Sequence, residues 1–154
     1  SLAVAARQGR LHRNFQGYTT GGELDLLGIG PTAISMFNNL YCQNHRNLRT
    51  WSGALERGEL PVERGLRVED PEVIERRELI REVMCHFRVG LELDRFQQEW
   101  SDLQALAMDG LVRLNREGNR GQVDVTASGR WLIRTVAAVF DPAQRRQASG
   151  SRLV

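Results

Sequence analysis

The spacing of apolar positions divides the chain into short elements. Ala3, Val4 and Ala5 read as the tail of a helix that Gly9 stops. Leu24, Leu26 and Leu27 predict a short strand at the end of a glycine-rich stretch, Gly17-Tyr18-Thr19-Thr20-Gly21-Gly22. Ile34 and Met36 alternate, and Phe37 and Leu40 flank Asn38-Asn39. Paired asparagines tolerate the positive φ of a tight turn, so residues 32–44 are expected to form a β-hairpin. Asn47 is placed to cap a helix running to about Arg57, with Gly58 as its stop. Asp70-Pro71 sets an N-cap before a proline in the first helical position. The helix that follows aligns Val73, Ile80, Val83, Met84 and Phe87 on one stripe. Asp94 opens a short helix through Trp100, and Ser101 caps another that turns Leu103, Leu106 and Ala107 inward and closes at Gly110.

The last third has a definite order. Leu111–Asn115 is a predicted strand, Glu117–Gly121 a turn and Gln122–Val125 a second strand. Thr126 then caps a helix with Leu132, Ile133, Val136 and Phe140 on its apolar face. Helix, strand, glycine turn, strand, helix is the ending of a winged-helix unit. Asp141-Pro142 ends the order, and the tail to Val154 is polar. The expected class is α+β and mainly helical, with a short N-terminal strand and hairpin, a helical middle and a winged-helix-like C-terminal unit. Two parts are expected, a glycine-rich 1–44 and a helical 45–154 with a β-wing at about 111–125. A chain that opens inside a helix reads as a piece of a longer protein.

Composition narrows the chemistry. Apolar residues make up 41% and charged residues 26% of the 154 positions, the balance of an ordinary globular domain. No run approaches the ~18 apolar residues of a membrane span. Ser1–Arg13 holds three arginines and no apolar run of signal-peptide length, so a cytoplasmic protein away from membranes is expected. All 21 basic residues are arginine, which excludes lysine Schiff-base and P-loop chemistry in this chain. Cys42 and Cys85 are far apart and too few for an iron–sulfur cluster, so reduced thiols are expected and no metal site. His12, His45 and His86 stand alone.

Three local patterns have ordinary explanations. Gly28-x-Gly30-x-x-Ala33 matches the letters of a dinucleotide fingerprint, but that site needs a helix starting at the second glycine, and a hairpin is expected there. The helix before the wing carries Asp102 and Asp109 and no arginine, which would repel phosphates and argues against nucleic acid. Arg76, Arg77 and Arg81 interleave with Glu72, Glu75, Glu78 and Glu82 and read as a solvated helix face. No nucleophile with its base, tuned carboxylate pair or metal cage is visible, so no catalytic residue is assigned. What remains is a glycine-rich, ligand-sized corner near residues 16–36.

Within that corner the run Leu11-His12-Arg13-Asn14-Phe15-Gln16-Gly17-Tyr18-Thr19-Thr20 is distinctive. It is followed by Asp25-Leu26-Leu27-Gly28-Ile29-Gly30, Ala33-Ile34-Ser35 and Gln43-Asn44. Further runs are Cys85-His86-Phe87-Arg88, Asp109-Gly110-Leu111-Val112, Val125-Thr126-Ala127, Gly129-Arg130 and Ser151-Arg152. Together they resemble the oxygen-independent coproporphyrinogen III oxidases, radical S-adenosylmethionine enzymes of haem and chlorophyll synthesis, over nearly the whole chain.

The resemblance implies the C-terminal third or so of a longer enzyme. In the family a barrel precedes this region and its cysteine motif holds a 4Fe-4S cluster. The parent converts two propionates of coproporphyrinogen III to vinyls, giving protoporphyrinogen IX. A 5′-deoxyadenosyl radical abstracts hydrogen, and carbon dioxide and an electron leave. The fragment alone is expected to be inactive. Segment 1–44 is expected to pack on that barrel, in a monomer. The family also binds a second S-adenosylmethionine, and Gln16 and Ile34 match positions that contact it. Gln16 offers an amide to a polar moiety; Ile34 offers backbone groups and an apolar wall, although plain core packing explains Ile34 equally. The surrounding glycines are then expected to let the backbone approach the cofactor. Gly21 and Pro31 depart from some relatives and could shift the local turn. A related haem-trafficking protein and a free-standing winged-helix regulator are the alternative readings.

Overall fold

The computed structural model describes residues 1–14, 16–22 and 24–142. The polar tail and Ser151-Arg152 lie outside the described residues. The elements run α1 (Leu2–Arg7), β1 (His12–Asn14), β2 (Gly17–Thr19), β3 (Ile34–Phe37), β4 (Leu40–Asn44), α2 (Leu48–Glu56) and β5 (Val62–Arg67). They continue with α3 (Pro71–His86), β6 (Arg88–Glu92), α4 (Gln97–Met108), β7 (Val112–Glu117), β8 (Arg120–Val125), α5 (Ala127–Trp131) and α6 (Ile133–Ala138). This is the mixed helix-and-strand class expected, with antiparallel pairing throughout.

The chain forms two compact units, Ser1–Thr20 with Glu75–Val154, and Gly21–Ile74. Position 44/45, the boundary expected from sequence, falls inside the second unit at the end of β4.

In the first unit the sheet order is β6-β8-β7. Val123 on the central strand stands opposite Val89 on one side and Leu114 on the other. Val83 and Met84 of α3, Leu103 of α4, and Val136 and Phe140 pack in the same buried cluster. The strand pair expected at about 111–125 is present as the hairpin β7–β8, turning at Gly118, and β6 extends it into a three-stranded sheet. β6 alternates buried Val89 and Leu91 with exposed Arg88, Gly90 and Glu92, the period-two signature of a half-buried strand. Two apolar positions were too few to announce it in a region expected to be helical.

Two more expectations change here. Residues 97–108 form one helix, not two: Asp94 lies in the preceding turn, where its N–H donates to Asn119 Oδ1 at 3.0 Å, and Ser101 sits inside α4. The final helix breaks at Leu132, which takes φ −111° and is half exposed, while Val136 and Phe140 remain fully buried. Thr126 does cap α5, its Oγ1 accepting from Gly129 N at 3.0 Å.

In the second unit the sheet order is β3-β4-β5. The expected hairpin is β3–β4, with Asn38 at φ +52° in its turn. Asn47 caps α2, accepting from Arg49 N and Thr50 N. Gly58 follows at φ +72°. β5 was not foreseen. All its residues after Val62 are exposed, so it carries no apolar alternation and owes its place to backbone pairing with β4. The strand expected at Leu24–Leu27 is a single bridge, Leu26 to Met36. Val73, assigned to the apolar stripe of α3, is exposed.

Candidate functional site

Gln16 occupies the turn of the β1–β2 hairpin in the first unit, with an exposed side chain. Asn14 shapes the turn: its Oδ1 accepts from Gln16 N at 2.9 Å and Gly17 N at 3.2 Å. Gly17 takes φ +132°, which only glycine adopts freely. The hairpin is anchored on α3. Tyr18 Oη donates to the Met84 carbonyl at 3.3 Å, and Arg81 Nη1 lies 3.1 Å from His12 Nδ1. Leu11, at the hairpin's foot, is buried with Ala5 and Cys85. The Arg13 guanidinium lies over the Tyr18 ring at 5.6 Å. Phe15, in the distinctive run, lies outside the described residues.

Ile34 belongs to the second unit, so the two candidates are set in separate compact bodies. It opens β3 opposite Gln43 and is half buried. The loop before it is held by two buried polar side chains. Ser35 Oγ accepts from Gly28 N at 3.0 Å, and Asn44 Nδ2 donates to the Gly28 and Gly30 carbonyls at 3.2 and 2.9 Å. Gly28 lies flat on the Ile34 backbone: a Cβ there would stand 2.7 Å from the Ile34 carbonyl oxygen. Gly28 is therefore slim to admit Ile34's own main chain. The half-buried side chain is what Ile34 has to offer a ligand as an apolar wall.

Sequence reasoning missed Ser35, Asn44 and Arg81. Ser35 and Asn44 carry a faint signal, being polar residues inside an otherwise apolar hairpin. Arg81 was assigned to a solvated face, yet it reaches His12 as well as Glu78. Arg76, assigned to the same face, turns inward to buried Glu99.

The later runs of the resemblance meet at one junction in the first unit. Val125 N donates to the Phe87 carbonyl at 2.8 Å, and Thr126 Oγ1 donates to the Gly110 carbonyl at 2.7 Å. Gly129 crosses Leu111 so closely that a Cβ would stand 2.0 Å from its carbonyl oxygen. These residues join strand to helix. A cavity of about 680 Å³ beside them is lined by Arg7, His86, Arg88, Asp124 and Arg130. Two of its three arginines are engaged: Arg88 pairs with Asp124, and Arg130 stacks on Phe87.

No family model matches the chain. It is 44% identical over 154 residues to the oxygen-independent coproporphyrinogen III oxidase of Synechocystis sp., covering 91% of this chain and 32% of that relative. It is 38% identical over 159 residues to the enzyme of the same name from Pseudomonas aeruginosa, covering 95% and 34%. Among solved structures it matches coproporphyrinogen III oxidase from Escherichia coli, described as a radical SAM enzyme, with a TM-score of 0.82 and 38% identity over 93% of this chain and 34% of that one. The chain is homologous to the C-terminal part of the oxygen-independent coproporphyrinogen III oxidases. It spans about a third of the length of these oxidases.

A radical SAM oxidase implies a 4Fe-4S cluster and S-adenosylmethionine. The cluster finds no ligand set in this chain. It takes three or four thiolates, whereas Cys42 and Cys85 are the chain's two cysteines and lie in different units. Among the described residues no three His, Cys, Asp or Glu side chains gather as a metal site. Gln16 and Ile34, each within its own unit, carry groups of the kind S-adenosylmethionine would need. The exposed Gln16 amide offers both a donor and an acceptor, and Ile34 offers a half-buried aliphatic face.

Proposed function

We propose that the chain completes an oxygen-independent coproporphyrinogen III oxidase, whose parent oxidatively decarboxylates two propionates of coproporphyrinogen III to vinyls and yields protoporphyrinogen IX. The observation that carries this is the match of 93% of the chain to the Escherichia coli oxidase at a TM-score of 0.82. S-adenosylmethionine and a 4Fe-4S cluster, the latter held by the part that precedes this chain, supply the one-electron chemistry of the parent. The role of this chain is to bind and enclose. Gln16 meets the polar amino-acid moiety of a second S-adenosylmethionine, and Ile34 walls its apolar side. Enclosure keeps water and stray hydrogen donors from a radical site.

The second unit supports docking on a preceding barrel. Its buried residues are small or polar, Ser35, Asn44, Ala54 and Pro61, while Leu24, Leu27, Ile29 and Leu60 are 69–86% exposed. So much exposed apolar surface points to a covering partner. Among the described residues no helix is long and apolar enough to cross a membrane. A cytoplasmic monomer with both thiols reduced belongs to the same proposal.

Gln16→Ala in the full-length protein is the test. Formation of protoporphyrinogen IX is expected to fall while the unfolding midpoint stays put. Unchanged turnover would remove Gln16 from the site, and a parent without three clustered cysteines upstream would sink the assignment.

A further inference from the structure

We propose that Arg81 is a positioning residue for Gln16, latching the β1–β2 hairpin to α3 so that its turn presents the amide at a fixed place. The inference rests on the reading of Gln16 given above. A two-stranded hairpin is at best marginally stable by itself in water. This one has three residues in each strand, and its tip carries the exposed Gln16. What holds it lies on one face of α3, at Arg81, Met84 and Cys85. Cys85 meets Leu11 through apolar burial, which has no direction. Met84 receives the Tyr18 hydroxyl on its carbonyl at 3.3 Å, a long bond between neutral groups. Arg81 makes the charge-assisted contact, Nη1 to His12 Nδ1 at 3.1 Å.

A guanidinium can only donate, so in this contact His12 Nδ1 is the acceptor. The same guanidinium pairs through Nη2 with Glu78 and lies 3.8 Å from Glu82, which aims its other edge across the helix. Its Nε is buried with no hydrogen-bond partner. An arginine that served the helix surface alone would keep Nε in water and pair with Glu78 only. Stranding Nε is costly, and here it accompanies the reach to His12. His12 and Gln16 are joined by one short strand and an Asn14-stapled turn, so a shift at His12 is passed to the amide with little slack.

The test uses the full-length enzyme and the variants Arg81→Gln and Arg81→Lys, with two readouts. Amide hydrogen exchange over residues 12–19 reports the hairpin, and the S-adenosylmethionine dependence of turnover separates KM from kcat. Arg81→Gln is expected to speed exchange over 12–19 on the order of tenfold, the scale of one charge-assisted hydrogen bond. Exchange in β7 and β8 stays as in the parent, which shows that the fold survives. KM for S-adenosylmethionine rises severalfold and kcat changes less. Arg81→Lys, which keeps the charge and hydrogen-bond donors but not the planar fork, recovers part of both. Unchanged exchange in Arg81→Gln overturns the latch, and so does a loosened hairpin with unchanged KM. Gln16→Ala, run alongside, isolates the underlying reading. A raised KM with hairpin exchange unaltered upholds it; an unaltered KM overturns the role of Gln16 itself, whatever Arg81 does.

Discussion

Arg76 Nη1 donates to Glu99 Oε1 at 2.6 Å, tying α3 to α4 through a pair whose side chains are only 14% and 3% exposed. Phe96 lies beside it, its ring centre 5.5 Å from the Arg76 guanidinium and 5.5 Å from that of Arg95. Burying two charges costs several kcal/mol per ion, which their attraction offsets only when both are present. Glu99→Ala removes the Glu99 carboxylate from the buried Arg76 guanidinium and is expected to destabilise the first unit by about 3–5 kcal/mol. The double variant Arg76→Met with Glu99→Leu should recover most of that loss, since an apolar pair of similar volume removes both desolvation penalties. Urea unfolding of the two variants decides it. If the double variant is no more stable than Glu99→Ala, the cost lies in packing and not in charge burial.

That pair also shows where the sequence stopped being legible. Glu and Arg at spacings of three and four describe a solvated helix face equally well whether each arginine bonds along its own helix or across to another. Choosing between them needs the position of Glu99, 23 residues further on. Asn47, Thr126, Gly58 and the Asn38-Asn39 turn act through neighbours within four residues and are legible in the sequence, whereas the equally local cap signals at Asp94 and Ser101 are overridden by one continuous helix. Strands without a local pattern are not legible. β5 is nearly all exposed, and β6 offers two apolar positions, so both depend on partner strands distant in sequence. The candidate site divides the same way. The run around Gln16 and Ile34 was visible by resemblance. The groups that hold it, Arg81, Ser35 and Asn44, are ordinary polar residues until the fold places them.

Cys85 makes the foot of the hairpin measurable. It is 2% exposed, and burial pushes its thiol pKa above the ordinary value, outweighing the nearby Arg81 and Arg13 cations that act to lower it. A thiol with a raised folded pKa favours the folded state fully below the unfolded pKa, about 8.5. That contribution is lost as pH climbs from there through the raised folded value. Stability is thus expected to decline over that alkaline window, and Cys85→Ala should flatten the decline. Alkylation gives the parallel check. At about pH 8.5, half-buried Cys42 should react well before Cys85, with urea erasing the difference. Equal native rates by mass spectrometry would mean that the hairpin does not close over Cys85.

Phe87 follows α3 in the left-handed region, at φ +58°, where a helix usually ends on glycine. Side chains carrying a Cβ pay roughly 1–2 kcal/mol to sit there. The strain is retained because the ring is engaged: the Arg130 guanidinium stacks on it at 4.5 Å, and the Phe87 carbonyl accepts from Val125 N at 2.8 Å. The ring also packs against the core of the first unit. Phe87→Ala should lose the ring contacts and keep the strain, whereas Phe87→Gly should lose the same contacts and release it. At most positions glycine is less stable than alanine by roughly 0.5–1 kcal/mol. Here the order should reverse, with Phe87→Gly the more stable of the two by about 1 kcal/mol, and both below the parent. Denaturation midpoints of the three proteins measure it. Alanine above glycine would mean that the backbone relaxes out of the left-handed region once the ring is gone, leaving Arg130 and the ring as the sole reason for the conformation.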